Sequence, residues 1–460
     1  MLAKISLVLL LGITVLTTDH YGLSCSQAPQ PDEAVTTKHF ITLLTDDVEG
    51  RNKAIKYLDA TWQNGYIVPL LDVIYLTSDQ WSYRFLFDLI EKKTGLSLDR
   101  DVNVWLDWIW NKEQSILPFH ANLMAAIYRN IDLRFEKYFK DRRKQAKIRL
   151  DEIRWGGVRQ DGIPPLRTPK MINADEADYL DGDNVVFGIE INGDARAYPK
   201  RILAWHEMFV DEVGGKNIAG VYCTLCGTVI IYETTHNGVN HELGTSGFLY
   251  RSNKLMYDKA TQSLWNTIEG RPVLGPLVNK GIELESYGLV TTTWKEWKAQ
   301  HPGTRVLSLD TGHNRDYSEG AAYASYFATD DLMFTVPKRD KRLKNKDEVF
   351  VVRAQGYKQD PLAIASKYLK KKRVHRDVMG STTISIFTDR SGASRAYDTG
   401  DTVFEKWDRS GKITDTRGVI WDISEDHLAA GDGKILKRLP AHRIFWFAWF
   451  NAYPETRLVK

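Results

Sequence analysis

Two of the three cysteines in this 460-residue chain, Cys223 and Cys226, stand three positions apart in the string YCTLCG. Two thiols at this spacing can form a small disulfide, bind a metal ion as thiolates, or pack as inert core side chains. After Gly227 the sequence continues as TVIIYE, a β-branched apolar run that predicts a strand. A thioredoxin-type pair opens a helix instead, so this context favours a tight turn with both thiolates facing one ion. A redox pair and inert packing stay open as alternatives.

An ion held by two thiolates needs further ligands, and neighbouring segments contain candidates. His206 and Glu207 precede the cysteines in the string AWHEM, and Met256 follows them with a thioether that suits a soft ion such as Cu(I). We therefore expect the metal ligands among Cys223, Cys226, His206, Glu207 and Met256, with Zn, Cu or Fe as the cofactor. If the site is catalytic, Cys223, Cys226 and Glu207 are the expected catalytic residues. For each single candidate, a core or surface role is the competing interpretation.

A second group of polar residues follows in the string YRSNKLMYD. Arginine presents a planar fork to carboxylate or phosphate, and asparagine and tyrosine add directional hydrogen bonds. The string therefore predicts one of two structures: a ligand-binding wall for an anionic substrate, or a buried ion-pair lattice at a domain seam. The expected ligand-binding residues are Arg251, Ser252, Asn253, Tyr257 and Asp258.

These residues need a scaffold, and the sequence changes character near residue 149. Residues 33–148 place apolar side chains three and four apart, which predicts an all-α region resembling a HEAT-like helical array that binds an unidentified protein partner. Residues 149–460 read as short strands and turns. Asn192-Gly193 and Asn237-Gly238 stand between β-prone runs and predict tight hairpins. The expected fold class is therefore α+β, a helical region followed by a largely antiparallel β-rich region.

The β-rich region contains a degenerate internal duplication, with halves at about 183–310 and 347–460. Trp265 matches Trp421, and the string TTWKEWKAQHPGTRV matches IFWFAWFNAYPETRL. The second counterpart of the cysteine segment, MGSTTISIFTDRSGASRAYD, keeps the strand and turn pattern but contains no thiol. The thiols are therefore not needed to build the scaffold, which favours a site peculiar to the first half.

The N-terminus predicts export. A positive start and an uncharged apolar run from Ile5 to Leu16 resemble a signal peptide, which we place at residues 1–26. Cys25 is a candidate lipoprotein cysteine that would tether the chain to a membrane, so the expected location is the periplasm or cell envelope. The net charge is only +3, which argues against a nucleic-acid partner.

Several strings resemble the domain of unknown function 3179 family: RLDEIRWGGVRQDGIPPL, ARAYPKRILAWHEM, YCTLCGTVIIY, GTSGFLYRSNKLMYDKATQSLW and FWFAWFNAYPETRL. The resemblance runs from about residue 149 to residue 458 and implies an exported or membrane-associated bacterial protein, without implying a reaction. Three functions stay open at this point: a transition-metal site, a thiol–disulfide or electron-transfer protein using Cys223 and Cys226, and a non-enzymatic binding or scaffold module of the envelope.

Overall fold

A computed structural model describes residues 31–77, 79–112, 116–354, 356–407 and 411–460. The expected signal peptide at residues 1–26, with Cys25, lies outside these described residues. Within them, no helix combines the length and the apolar character that a membrane span requires.

The N-terminal region is helical, as expected from its apolar spacing. Asp32, Asp47, Asp79 and Asp101 each precede a helix and accept a backbone N–H of its first turn, so aspartate caps decide where four of these helices begin. The lengths vary from 4 to 15 residues, and a HEAT-like period is not confirmed. The helices are α1 (Glu33–Thr42), α2 (Val48–Ala60), α3 (Ile67–Leu76), α4 (Gln80–Thr94), α5 (Val102–Trp110), α6 (His120–Tyr128) and α7 (Glu136–Phe139).

Residues 149–330 form four sheets with two helices packed on them and a third, α10, after them. The elements are β1 (Ile153–Trp155), β2 (Leu166–Arg167), β3 (Met171–Asn173), β4 (Val185–Ile191), β5 (Asp194–Pro199), α8 (Lys200–His206), β6 (Met208–Val213), β7 (Lys216–Cys223), β8 (Thr228–Glu233), β9 (Thr235–His236), β10 (Val239–Asn240), β11 (Leu243–Tyr250), β12 (Asn253–Asp258), β13 (Leu264–Asn266), β14 (Arg271–Leu274), β15 (Ser286–Tyr287), β16 (Val290–Thr293), α9 (Trp294–Gln300), β17 (Arg305–Leu307) and α10 (Ala324–Ala328). The sheet orders are β1-β11-β12-β13-β14, β15-β8-β7-β6-β2, β16-β4-β5-β17-β3 and the short pair β10-β9.

The remaining residues form two further sheets. The elements are β18 (Glu348–Val352), β19 (Leu362–Ala365), α11 (Ser366–Lys372), β20 (Val374–Met379), β21 (Thr382–Thr388), β22 (Ser394–Asp398), β23 (Lys412–Thr414), β24 (Ile420–Ile423), β25 (His427–Ala430), β26 (Ile435–Leu439), β27 (Ala441–Phe445), α12 (Trp446–Ala452) and β28 (Arg457–Val459). Their orders are β27-β18-β19-β28 and β20-β21-β22-β26-β25-β24-β23. Most strand pairs are antiparallel, so the α+β class with a largely antiparallel β region is confirmed.

The helical region packs directly on the sheet that contains β11 and β12. Phe248 of β11 lies in the same buried apolar cluster as Trp105 and Phe135. Arg154 of β1 forms a buried ion pair with Asp72 of α3. The helices therefore stabilise the β region across a common core.

The strand order confirms the internal duplication. The order β16-β4-β5-β17 in one sheet repeats as β27-β18-β19-β28 in another, with the final pair parallel in both. Equivalent side chains repeat as well: Trp297 Nε1 donates to Thr304 Oγ1 at 2.9 Å, and Trp449 Nε1 donates to Thr456 Oγ1 at 2.9 Å. The matched aromatic strings of the sequence therefore occupy equivalent places in the two halves.

The two expected hairpins are also confirmed. Asn192 and Gly193 connect β4 and β5 with φ of 50° and 81°, and Asn237 and Gly238 connect β9 and β10 with φ of 48° and 77°. Positive φ at both central residues belongs to the tight turns that match strand twist, and Asn-Gly is the sequence that favours them.

Candidate functional site

The cysteines lie on a turn between two central strands. Cys223 ends β7 and pairs with Thr228, the first residue of β8, and the intervening turn holds Cys226 and Gly227. The two Sγ atoms are 2.6 Å apart, and both side chains are buried. The prediction that the CxxC leads into a strand and not into a helix is confirmed.

Residues of α10 and of the second half of the β region cover this turn. The backbone N–H of Phe445 donates to the Cys226 carbonyl at 2.8 Å, and the Tyr326 hydroxyl donates to the Leu225 carbonyl at 2.7 Å. Gly227 adopts φ +60°, and a Cβ atom there would lie 2.6 Å from the ring of Phe445. Glycine is therefore required for both its backbone conformation and the close approach of the ring.

The equivalent turn of the second half joins β21 and β22 without any thiol. There the hydroxyl of Ser391 donates to Asp389 Oδ1 at 2.6 Å, and Gly392 follows with φ +87°. Asp389 also accepts the backbone N–H groups of Ser391 and Ala393. Ordinary hydrogen bonds thus build this turn, in agreement with the inference that the scaffold does not need the cysteines.

A second tight turn approaches the thiols from the next sheet. Arg251 and Ser252 connect β11 to β12 and both have positive φ, 51° and 60°, although neither is glycine. Such conformations cost free energy and persist where the surrounding structure enforces them. Here the turn places the Ser252 carbonyl 3.5 Å from Cys226 Sγ, as an acceptor of the thiol proton.

Glu207 reaches the site from the end of α8, where it takes a left-handed conformation with φ 56°. Its carboxylate is buried and has three partners. Oε2 is 2.5 Å from Lys254 Nζ, and Oε1 accepts the hydroxyls of Thr224 and Tyr323 at 2.7 Å each. The buried Lys254–Glu207 ion pair therefore lies beside the dithiol turn, tied to it through Thr224.

The two thiols have different acidities. Burial raises the pKa of Cys223, but the side-chain hydrogen bond with Cys226 and the Lys254 backbone N–H stabilise its thiolate and bring the pKa below the ordinary thiol value. Burial and the adjacent Cys223 together hold the pKa of Cys226 well above that value. Cys223 is consequently the thiol that ionises first.

A small cavity reaches only one of the thiols. It has a volume of about 60 Å³ and is lined by Glu207, Cys223, Thr224, Lys254 and Tyr323, among others. Cys226 is not among its lining residues. The cavity also touches Met333, which is 48% exposed, so it extends toward the surface there. The more acidic thiol, the ion pair and a space for a small molecule therefore coincide.

His206 is buried and precedes Glu207 in the sequence, but its side chain makes its hydrogen bonds away from the thiols. Its Nδ1 lies 2.9 Å from the Pro164 carbonyl, which can only accept, so Nδ1 carries the proton. Nε2 then accepts from the Tyr317 hydroxyl at 2.6 Å. Burial lowers the pKa of His206 to about 4. Both ring nitrogens are thus occupied away from the thiols.

Met256 belongs to a different apolar cluster from the cysteines and packs there with Trp265. Of the expected metal ligands, the structure therefore brings together Cys223, Cys226 and Glu207 and places His206 and Met256 apart from them. Within the described ranges, no group of three or more His, Cys, Asp and Glu side chains is arranged to hold a metal ion.

The expected ligand-binding residues also lie in different environments and do not form one wall. Tyr257 donates its hydroxyl to Asp161 at 2.5 Å, and Asp258 is 3.2 Å from His241 Nδ1. Arg251 Nε is 2.5 Å from the Glu152 carboxylate, and its Nη1 donates to the Asn451 carbonyl of α12 at 2.8 Å. Arg251 and Asp258 are therefore in ion pairs within the protein, Tyr257 is in a hydrogen bond, and Arg251 links β11 to α12. Ser252 lies beside Cys226, and Asn253 faces a separate cavity.

Sequence reasoning missed Thr224 and Tyr323 as partners of Glu207. Thr224 lies inside the CxxC string, so its proximity to the thiols was available from spacing alone. Tyr323 lies about 100 residues downstream in an irregular segment. No local pattern connects it to the cysteines.

The fold and site define a duplicated α+β protein with a buried dithiol turn between its halves. Residues 160–456, well over half of the chain, match the family described as protein of unknown function (DUF3179), and the chain belongs to that family. Neither the curated proteins nor the solved structures contain a match to this chain.

Proposed function

We propose that Cys223 and Cys226 form a dithiol–disulfide redox centre that reduces a small hydroperoxide, with Cys223 as the attacking thiol. The observation that carries this proposal is the cavity, which is lined by the more acidic Cys223 and not by Cys226, whose Sγ lies 2.6 Å from that of Cys223. A thiol of lowered pKa that lines a cavity and lies next to a second thiol is the arrangement of a redox-active pair.

Cavity size supports a hydroperoxide as the oxidant. A volume of about 60 Å³ is well below the ~150 Å³ of a cavity that holds benzene. Hydrogen peroxide fits such a space, whereas the disulfide of a peptide or protein does not. The expected substrate is therefore hydrogen peroxide or the smallest alkyl hydroperoxides.

The chemistry balances with the groups present. Cys223 thiolate, its proton released to solvent, attacks one peroxide oxygen; the O–O bond breaks, and the leaving hydroxide takes a proton from the Lys254 ammonium. The Cys226 thiol then attacks the Cys223 sulfenic acid, and its proton leaves with the hydroxyl as a second water. Lys254 regains a proton from solvent. Two thiols and one peroxide thus give one disulfide and two waters, and an external dithiol reductant restores the pair.

The experiment uses reduced full-length protein and follows each cysteine by peptide mass spectrometry after one equivalent of hydrogen peroxide. We expect a Cys223–Cys226 disulfide in the wild-type protein. In Cys226→Ser the reaction should stop at a Cys223 sulfenic acid that dimedone traps, and Cys223→Ser should leave residue 226 unreacted. Cumene hydroperoxide, which is too large for the cavity, should react at least tenfold more slowly.

Two results would overturn the proposal. One is that dimedone labels Cys226 in the Cys223→Ser variant as fast as it labels Cys223 in the Cys226→Ser variant. The other is oxidation of the pair no faster than that of free cysteine under the same conditions.

A transition-metal site is the second candidate, favoured by one observation: the Glu207 carboxylate lines the same cavity as Cys223, adjacent to Cys226. Zn, Cu or Fe would then be held by two thiolates and Glu207, which would have to leave Lys254. Metal analysis of protein purified under reducing conditions separates the two candidates. Stoichiometric metal that disappears in Glu207→Gln and persists in His206→Asn would favour the metal site over the peroxide reaction.

We further propose that the protein acts outside the cytoplasm, in the cell envelope, on the basis of the apolar N-terminal run and Cys25. N-terminal sequencing of the mature protein tests this directly. A mature chain that begins at Cys25 with an attached lipid would support a membrane tether. A mature chain that retains residues 1–24 would contradict export.

A further inference from the structure

A second cavity lies on the opposite face of β12 from the thiols. Its volume is about 180 Å³, and it forms where β12, β14 and α12 meet residues 147–148. Side chains alternate along a strand, so Asn253 and Leu255 share one face of β12. Lys254 between them lines both cavities, and its ammonium group pairs with Glu207. The two cavities are therefore back to back across one strand.

Asn253 is the unusual residue of this cavity. Its side chain is 7% exposed, and neither its amide nitrogen nor its amide oxygen has a hydrogen-bond partner among the described residues. Burying an amide without partners is unfavourable, so such a group is retained where a ligand or water completes it. An asparagine amide offers both a donor and an acceptor, which matches the amide of a ligand.

Cationic residues dominate the charge around the cavity. Lys147, Arg251, Lys254 and Arg271 line it, against the single acid Glu269. Ion pairs hold Arg251 to Glu152, Lys254 to Glu207 and Arg271 to Glu269. Lys147 is exposed and has no ion pair within the described part of the chain.

We propose that this cavity binds a small molecule in which a carboxylate stands next to an amide, with the carboxylate at Lys147 and the amide on Asn253. The volume is close to the ~150 Å³ of a cavity that holds benzene and below the ~300 Å³ of drug-sized pockets, so an acylated amino acid or a dipeptide is the expected size. Arg251, which donates to the Asn451 carbonyl of α12, links this wall of the cavity to the second half of the chain. The proposal does not depend on the redox chemistry.

The test is calorimetric titration of the full chain with N-acetylglycine, which carries both groups. We expect saturable binding in the millimolar range or tighter. Lys147→Met should weaken binding at least tenfold, and Lys144→Met, an exposed lysine three residues earlier that does not line the cavity, should leave it unchanged. N-Acetylglycinamide, which lacks the carboxylate, should bind at least tenfold more weakly than N-acetylglycine.

Asn253→Asp, checked for folding by its thermal transition, tests the amide contact and should also weaken binding at least tenfold. A Cys223→Ser/Cys226→Ser double variant should bind N-acetylglycine as the wild-type protein does, which separates this site from the redox proposal. No saturable binding of N-acetylglycine, or equal loss in Lys147→Met and Lys144→Met, would overturn the inference. The inference would also be overturned if inorganic phosphate bound more tightly than N-acetylglycine and its affinity did not change in Asn253→Asp.

Discussion

Replacing Gly227 by alanine probes the contact between the dithiol turn and the second half of the protein. Gly227 has φ +60°, and an added Cβ would lie 2.6 and 2.7 Å from two ring carbons of Phe445. The left-handed conformation costs a non-glycine residue about 1–2 kcal/mol. Phe445 is buried in β27 and cannot withdraw without disturbing the core, so overpacking adds roughly 1–3 kcal/mol. The expected total destabilisation is about 2–5 kcal/mol.

Gly392 is the matched control because it occupies the equivalent turn of the second half. Its φ is +87°, further from the left-handed minimum, so its backbone cost is no smaller. The atom nearest an added Cβ, however, is Cε of Lys370, at the far end of a flexible side chain. Alanine at Gly392 should therefore cost only the backbone term of about 1–2 kcal/mol.

The measurement is the denaturant midpoint of both variants, together with the rate at which hydrogen peroxide oxidises Cys223. We expect Gly227→Ala to lose roughly 1–3 kcal/mol more than Gly392→Ala and to oxidise at an altered rate. Equal destabilisation by the two substitutions, or a larger loss at Gly392, would refute the packing argument.

Three further predictions concern the buried polar groups. Iodoacetamide should alkylate Cys223 before Cys226. As the pH is lowered, the alkylation rate of Cys223 should begin to fall only below the pKa of an ordinary thiol. Preferential alkylation of Cys226 would contradict the order of acidities. Glu207→Gln leaves Lys254 buried without its counter-charge and should lower the free energy of unfolding by about 3–5 kcal/mol. The double variant Glu207→Gln/Lys254→Met should recover most of this loss, as measured by denaturant unfolding. Because burial lowers the pKa of His206 to about 4, the unfolded state binds a proton that the folded state does not as pH falls from about 6.5. The wild-type protein should therefore lose stability toward pH 4 more steeply than His206→Asn, and parallel stability–pH curves would refute this.

Local patterns in the sequence predicted much of the framework. The Asn-Gly pairs specify two hairpins because both residues tolerate positive φ. The aromatic strings around Trp297 and Trp449 revealed the duplication because each tryptophan packs and hydrogen-bonds within its own half. Such features depend on neighbours a few residues away, and spacing alone therefore reports them.

The site itself was predictable only in part. Cys223 and Cys226 were identified from their spacing, and Glu207 was correctly associated with them as a neighbour. His206, next to Glu207 in the chain, was grouped with the thiols, but the left-handed end of α8 directs the two side chains to different partners. A single backbone conformation that departs from the helix therefore separates two adjacent residues, and composition does not reveal it.

By itself, then, the sequence determined a dithiol turn at the start of a strand in a duplicated antiparallel framework, since glycine, asparagine and β-branched residues act over short distances. Tertiary structure alone decided what surrounds the sulfurs. Lys254 and Tyr323 meet Glu207, and Phe445 covers Gly227, because strands and loops distant in sequence converge when apolar faces of both halves are buried together. Those contacts set the acidity of Cys223 and the shape of its cavity, since both depend on burial and on partners that the chain brings together only when folded.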